Sequence, residues 1–173
     1  MGLSDKGYLC TSELKKRGRY PSEERFQEGS VAIIECSQEI PCNPCEDACP
    51  FDAIKVGKPI TNLPQLDEEK CTGCGQCVAQ CPGLAIFLID KTYTKKMSTV
   101  SFPYEFPELP EEDQEINAVD RDGKFVCKGK VAQVLTKKDF DKTAVITIAV
   151  PNKYADKVRS MERLDLKEGD QNG

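Results

Sequence analysis

Cys71-Thr-Gly-Cys74-Gly-Gln-Cys77-Val-Ala-Gln-Cys81-Pro82 decides the reading of this chain. Its spacing, C-x2-C-x2-C-x3-C-P, is the one that wraps a cubane iron–sulfur cluster. A tight loop with small residues between the ligands brings three thiolates to one side of a cube. Gly73 and Gly75 let the backbone come close to inorganic sulfide and turn N–H groups toward it. Cys81 lies a helical turn past Cys77, so it points away from the loop and toward a second site.

The partner motif lies upstream, in Cys36-Ser-Gln-Glu-Ile-Pro-Cys42-Asn-Pro-Cys45-Glu-Asp-Ala-Cys49-Pro50. Counted back from Pro50, the spacing repeats through Cys42. Position 39, where a further cysteine is due, is Glu, and Cys36 stands three residues earlier. A loop lengthened by that much closes at small entropic cost, so Cys36 is the candidate fourth thiolate. The alternative is that Cys36 stands aside and this site holds a three-iron cluster.

Each motif is followed by an apolar run, Phe51-Asp-Ala-Ile54-Lys-Val56 and Gly83-Leu-Ala-Ile86-Phe-Leu-Ile89. Strands are predicted ahead of them at Val31–Ile34 and Gln65–Asp67. Two halves, each a cysteine loop, a short helix, a Cys-Pro stop and a strand, predict a pseudo-two-fold pair. Residues 31–90 thus resemble the bacterial-type two-cluster ferredoxin. The resemblance implies two [4Fe-4S] clusters, the first on Cys36, Cys42, Cys45 and Cys81, the second on Cys71, Cys74, Cys77 and Cys49. Ile34, Phe51, Ile54, Val78, Leu84 and Ile86 are expected as dry packing around them.

Outside that segment the chain reads as an α+β protein in which a ferredoxin-like duplicated iron–sulfur domain carries a small C-terminal β-rich unit and a terminal helix. Residues 1–30 are expected as a solvated N-terminal arm with a basic knot at Lys15-Lys16-Arg17-Gly-Arg19, or as an arm lying on a partner. Residues 91–115 hold Pro103, Pro107 and Pro110 among acidic residues and are expected as an extended, self-repelling linker. Residues 116–165 read as a β-rich docking unit: a strand from Ile116, a hairpin turn at Asp120-Arg-Asp-Gly123, a returning strand to Leu135 and another over Thr143–Val150. Pro151 is placed at the first position of a helix carrying Tyr154, Val158 and Met161, and residues 166–173 are a polar tail. Cys10 and Cys127 have no neighbour at ligand spacing and read as a free thiol and a packed strand residue.

Composition narrows the function. Ten cysteines in 173 residues demand a cause. A disulfide framework fits poorly with clustered C-x2-C spacings and the polar opening Met1-Gly-Leu-Ser-Asp-Lys, in which no secretory segment is read. Zinc favours separated C-x2-C pairs over three cysteines in seven residues. The chain has no histidine, which removes the commonest general base, and no nucleophile signature or phosphate loop points to a catalytic site of its own. A formal charge of −5 disfavours nucleic acid, and the longest apolar runs are too short to span a bilayer. Lys6, where a myristoylation signal wants Ser or Thr, argues against a lipid anchor. The expected protein is cytoplasmic and passes single electrons. Pro44, Glu46 and Asp47 around the first site, against neutral Thr72 and Gln76 around the second, predict that the first cluster is the harder to reduce.

The extra length beyond the repeat suggests docking surfaces. In overall arrangement the chain is similar to the ferredoxin-like small subunits of flavin-dependent amine or amino-acid dehydrogenase complexes. That likeness implies a flavin-containing dehydrogenase subunit as partner and a hetero-oligomer. A stand-alone ferredoxin-type carrier is the alternative, and a structural zinc-binding interaction module a lesser one.

Overall fold

The computed structural model describes residues 3–165. The residues of the expected polar tail and Met1-Gly2 lie outside it. Nine strands and four short helices are found among the described residues: α1 Leu3–Lys6, α2 Thr11–Lys16, β1 Val31–Ile34, α3 Pro44–Asp47, β2 Ile54–Lys55, β3 Gln65–Leu66, α4 Gln76–Gln80, β4 Ile86–Asp90, β5 Met97–Tyr104, β6 Glu115–Val119, β7 Phe125–Leu135, β8 Ala144–Pro151 and β9 Ser160–Met161. Seven strands form one sheet in the order β1-β4-β5-β8-β7-β6-β9, and β2 and β3 form a separate ribbon.

The sheet is buried on both faces near the cysteines, which is why β1 and β4 are apolar without alternation. Val31, Ile33, Phe87 and Ile89 face a large core with Leu9, Leu14 and Phe26. Ala32, Ile34, Ile86 and Leu88 face the other way, onto Cys45, Cys77 and Val78. Side chains that alternate by two residues therefore seat the cysteine helices α3 and α4 against one side of the strand pair. All strand pairs are antiparallel; β1 runs against β4 from Val31↔Ile89 to Ile34↔Ile86, and β2 against β3 with Ile54 opposite Leu66. The strand before each motif thus pairs with the strand after the other.

Several expectations change. The first thirty residues are not a solvated arm: Leu9, Leu14 and Phe26 are fully buried, and Tyr20 Oη donates to Asp156 at 2.5 Å. A strand, β5, occupies part of the expected linker and lies between β4 and β8. Phe102 and Tyr104 anchor it in the core, and Pro103 is tolerated because β5 has left β4 after Ser101, so no missing N–H is needed there. The strands of residues 31–90 and those beyond 116 consequently share one sheet. The expected terminal helix is a single 3-10 turn, Asn152–Tyr154, after which β9 pairs with β6. Burial of Val158, Arg159 and Met161 and the bond from Arg159 N–H to Val119 O hold that segment extended.

The hairpin at Asp120–Gly123 forms as its residues predict: Asp120 Oδ1 accepts from the N–H groups of Asp122 and Lys124, and Gly123 takes a positive φ of 73°. Cys127 is buried in β7.

Candidate metal centres

All ten cysteines are free thiols. The chain gathers eight of them into two groups, each around its own cavity. Cys36, Cys42, Cys45 and Cys81 line one of about 480 Å³, and Cys49, Cys71, Cys74 and Cys77 line one of about 20 Å³. These groupings cross between the motifs, with Cys81 among the first loop's thiols and Cys49 among the second's. Cys36 reaches its group despite the longer loop. Cys10, half-exposed, and Cys127 join neither.

Local backbone geometry explains the convergence. Gly75 sits at φ 82° and opens α4, so the loop turns back on itself where a side chain would be strained. A Cβ on Gly73 would lie 2.5 Å from Ser30, so only glycine lets the second loop close against the end of β1. In the first loop Pro44 starts α3 at its favoured position. The crossing cysteines then adopt matching turns. Asp52 N–H bonds to Cys49 O and Leu84 N–H to Cys81 O; Asp52 and Leu84 both have positive φ; and the N–H groups of Ala53 and Ala85 donate to the sulfurs of Cys49 and Cys81 at 3.3 and 3.4 Å. Ala32 N–H donates to Cys71 Sγ at 3.4 Å.

Sulfur accepting from backbone N–H is the arrangement that stabilises thiolate and bridging sulfide, so the donor set fits iron–sulfur ligation. Without metal the same burial opposes ionisation: desolvation pushes the Cys45 thiol up to about 11 and raises those of Cys77 and Cys81. Metal binding at these positions therefore releases protons. Among the described residues no three His, Cys, Asp or Glu side chains converge closely enough for a single metal ion. Each quartet surrounds a space instead.

Of the expected dry packing, Ile34, Ile54, Val78 and Ile86 are buried, but Phe51 and Leu84 are exposed at 46% and 37%. Each follows its Cys-Pro stop closely, where the turn carries the side chain outward. Glu46 does not stand as a free charge beside the first loop. Its carboxylate accepts from the N–H groups of Val56 and Gly57 at 2.9 and 3.0 Å and lies 3.7 Å from Lys55, and the two N–H bonds hold it below the usual glutamate range.

Three groups around the loops, two buried and one half-buried, carry no sequence signal. Arg25 is 7% exposed; its guanidinium donates to the carbonyls of Glu68, Gly29, Ser30 and Cys71. Arg19 donates to Cys36 O at 2.7 Å and to Pro64 O at 3.5 Å. Glu35, next to Cys36, accepts from Arg121 Nε at 2.6 Å, Arg121 Nη2 and Arg159 Nε at 2.7 Å, while Arg159 Nη1 donates to Ala155 O and Val158 O. Only tertiary structure brings these partners together, across as many as 124 positions of sequence.

Residues 40–85 match the 4Fe-4S dicluster domain, so this part of the chain is a ferredoxin-type dicluster domain. Among curated proteins, the chain is 49% identical over 45 residues to a subunit of the Na(+)-translocating ferredoxin:NAD(+) oxidoreductase complex of Acetobacterium woodii, covering 26% of this chain and 13% of that one. It is 51% identical over 49 residues to a subunit of the ion-translocating oxidoreductase complex of Methanosarcina acetivorans, 28% of this chain and 17% of that one. An uncharacterized ferredoxin of Methanocaldococcus jannaschii is 36% identical over 81 residues, 47% and 45% of the two chains. The chain thus spans less than half the length of each of these relatives. No solved structure matches it. No helix among the described residues is long and apolar enough to cross a membrane.

Proposed function

We propose that this protein is an electron-transfer subunit that passes single electrons through two [4Fe-4S] clusters. Cys36, Cys42, Cys45 and Cys81 hold the first, and Cys71, Cys74, Cys77 and Cys49 the second. The observation that carries the reading is the crossed gathering of two thiol quartets, each around its own cavity, with seven of the eight cysteines in the segment that matches the dicluster domain and Cys36 just ahead of it. A bound cluster supplies a one-electron centre. The chain positions the thiolates, directs N–H groups at sulfur and limits water. Three cysteines in seven residues followed by a Cys-Pro stop suit an iron–sulfur cube better than the separated pairs of a zinc site.

Crossing makes a specific forecast. Cys81→Ser should damage the first cluster and leave the second, and Cys49→Ser the reverse. Anaerobic purification with iron and sulfide counting, followed by EPR of the reduced protein, reads the outcome. About eight irons are expected in the parent and about four of the same cluster type in each variant. Loss of the cluster within the mutated motif, with the other intact, would overturn the crossed assignment; clearly fewer than about eight irons in the parent would overturn two complete [4Fe-4S] clusters.

For the partner, we infer a flavin-containing dehydrogenase subunit in a hetero-oligomeric oxidoreductase, with the protein in the cytoplasm. The support is the cavity at the first quartet, whose wall includes the half-exposed Ile40, Leu84 and Phe106. Exposed apolar side chains beside a redox site suit docking of a partner. Two of the relatives are, by name, subunits of oxidoreductase complexes, which favours a subunit over a stand-alone carrier. Purification of the untagged protein from its own cells tests this: a stable partner with bound flavin is expected, and a monodisperse monomer refutes it.

A further inference from the structure

The geometry points to Arg19 and Arg25 as positioning residues that set the potentials of the two clusters separately, one arginine for each; the inference rests on the cluster assignment proposed above. Each guanidinium donates to the carbonyl oxygen of the first cysteine of one loop, Arg19 to Cys36 and Arg25 to Cys71, at 2.7 and 2.5 Å. The two arginines are six positions apart in the segment that precedes both motifs. That segment is fastened into the core by Leu14 and Phe26, so the guanidinium groups are held in place rather than swinging in solvent.

The electrostatic consequence follows from charge alone. Reduction adds one negative charge to a cluster. A fixed positive charge on its ligand loop favours the reduced form, and it also withdraws the negative end of the cysteine carbonyl from the cluster. Arg25 is 7% exposed, so water screens its charge little. Its hydrogen-bond partners are four carbonyls, which carry no net charge, and its nearest carboxylate, Glu28, lies 3.9 Å from Nε and is itself 70% exposed. Arg19 likewise bonds to carbonyls, at a half-buried position where solvent screens more of its field. The second cluster therefore receives the stronger bias, which keeps the electron there when both sites are accessible.

The test is an EPR-monitored redox titration of the full-length loaded protein and its Arg19→Gln and Arg25→Gln variants. Each variant should move a different one of the two waves toward negative potential, changing its reduced-to-oxidised ratio at a fixed potential roughly tenfold, or 59 mV for one electron. Lysine at either position should recover most of the shift, since it restores the charge without the guanidinium fork. Raising the ionic strength should shrink the Arg19 effect more than the Arg25 effect. The inference fails if both variants move the same wave, if neither moves one more than about twofold, or if the lysine variants behave like glutamine. Should Arg25→Gln not fold, the half-buried Arg19 tests the same claim at the first cluster: Arg19→Gln must move one wave and Arg19→Lys restore it, and a shift of both waves or of neither overturns the inference. Iron and sulfide are counted on every sample. Fewer than about eight irons in the parent condemns the cluster assignment itself, whereas eight irons with unmoved waves condemns only the role of the arginines.

Discussion

The two cysteine quartets are built by the same local rules and placed in different surroundings. Both use a thiol from the opposite motif, and both crossing cysteines sit in the same turn with an N–H on sulfur. The second quartet closes on a cavity of about 20 Å³ walled by Ala53, Ile54 and Leu88, while the first opens into one of about 480 Å³ bounded by late strands and by the N-terminal segment. The strand pairs differ in the same sense. β1 and β4 are absorbed into the seven-stranded sheet, and β2 and β3 remain a ribbon of two residues each. Sequence repetition specifies the ligand loops, and the rest of the chain then gives the first quartet the larger cavity, while the second keeps the exposed Cys74 at its rim.

The largest expected effect breaks the surroundings of the first quartet. Glu35 is the carboxylate shared by Arg121 and Arg159. Glu35→Ala leaves two buried guanidinium groups facing each other and should cost about 3–5 kcal/mol, read by chemical denaturation of the apoprotein. A loss below about 1 kcal/mol would mean that this clamp does not hold the first site to the late strands. Next is hydrogen exchange. Amides of β4 and β8 should be protected by the full unfolding free energy, and those of β2 and β3 should exchange through local opening. Equal protection would erase the contrast between the strand pairs.

Tyr20→Phe removes the bond to Asp156 that pins the N-terminal segment and should cost about 1 kcal/mol in thermal or denaturant unfolding. Glu46→Gln is the smallest. Loss of a negative charge near the first quartet should move its wave slightly positive, by less than about threefold in the redox ratio, since Lys55 and two N–H groups already offset that charge. A more negative potential would refute the electrostatic account. The depressed ionisation of Glu46, caused first by the bonds from Gly57 and Val56, fixes the sign of a pH effect too. The caps on Val56 and Gly57 are complete above the ordinary glutamate range and are lost as pH falls through the depressed value, so exchange protection of those amides should drop in acid in the parent and not in Glu46→Gln.

What was legible in the sequence was local. Cysteine spacing, Gly73, Gly75 and the Cys-Pro stops announce the loops because ligand geometry is a matter of a few neighbouring residues. The strands at Val31–Ile34 and Ala144–Pro151 follow from apolar runs. The fate of residues 1–30 and of β5 was not legible, because Leu9, Leu14 and Phe26 are scattered among charges and Pro103 reads as a breaker until the missing partner strand is known. The arginines could not be ranked either. A basic knot looks the same in sequence whether its side chains face water or a cysteine carbonyl.

The continuity of the sheet bears on how the molecule can be divided. β4 shares its far edge with β5, and Val31, Ile33, Phe87 and Ile89 are covered by residues from both ends of the chain. Cut out at residues 31–90, the iron–sulfur segment would keep every ligand but lose the roof over that apolar face, leaving an unpaired strand edge beside it. In this protein the redox segment is not a detachable cassette: its natural unit of transplantation is nearly the whole chain.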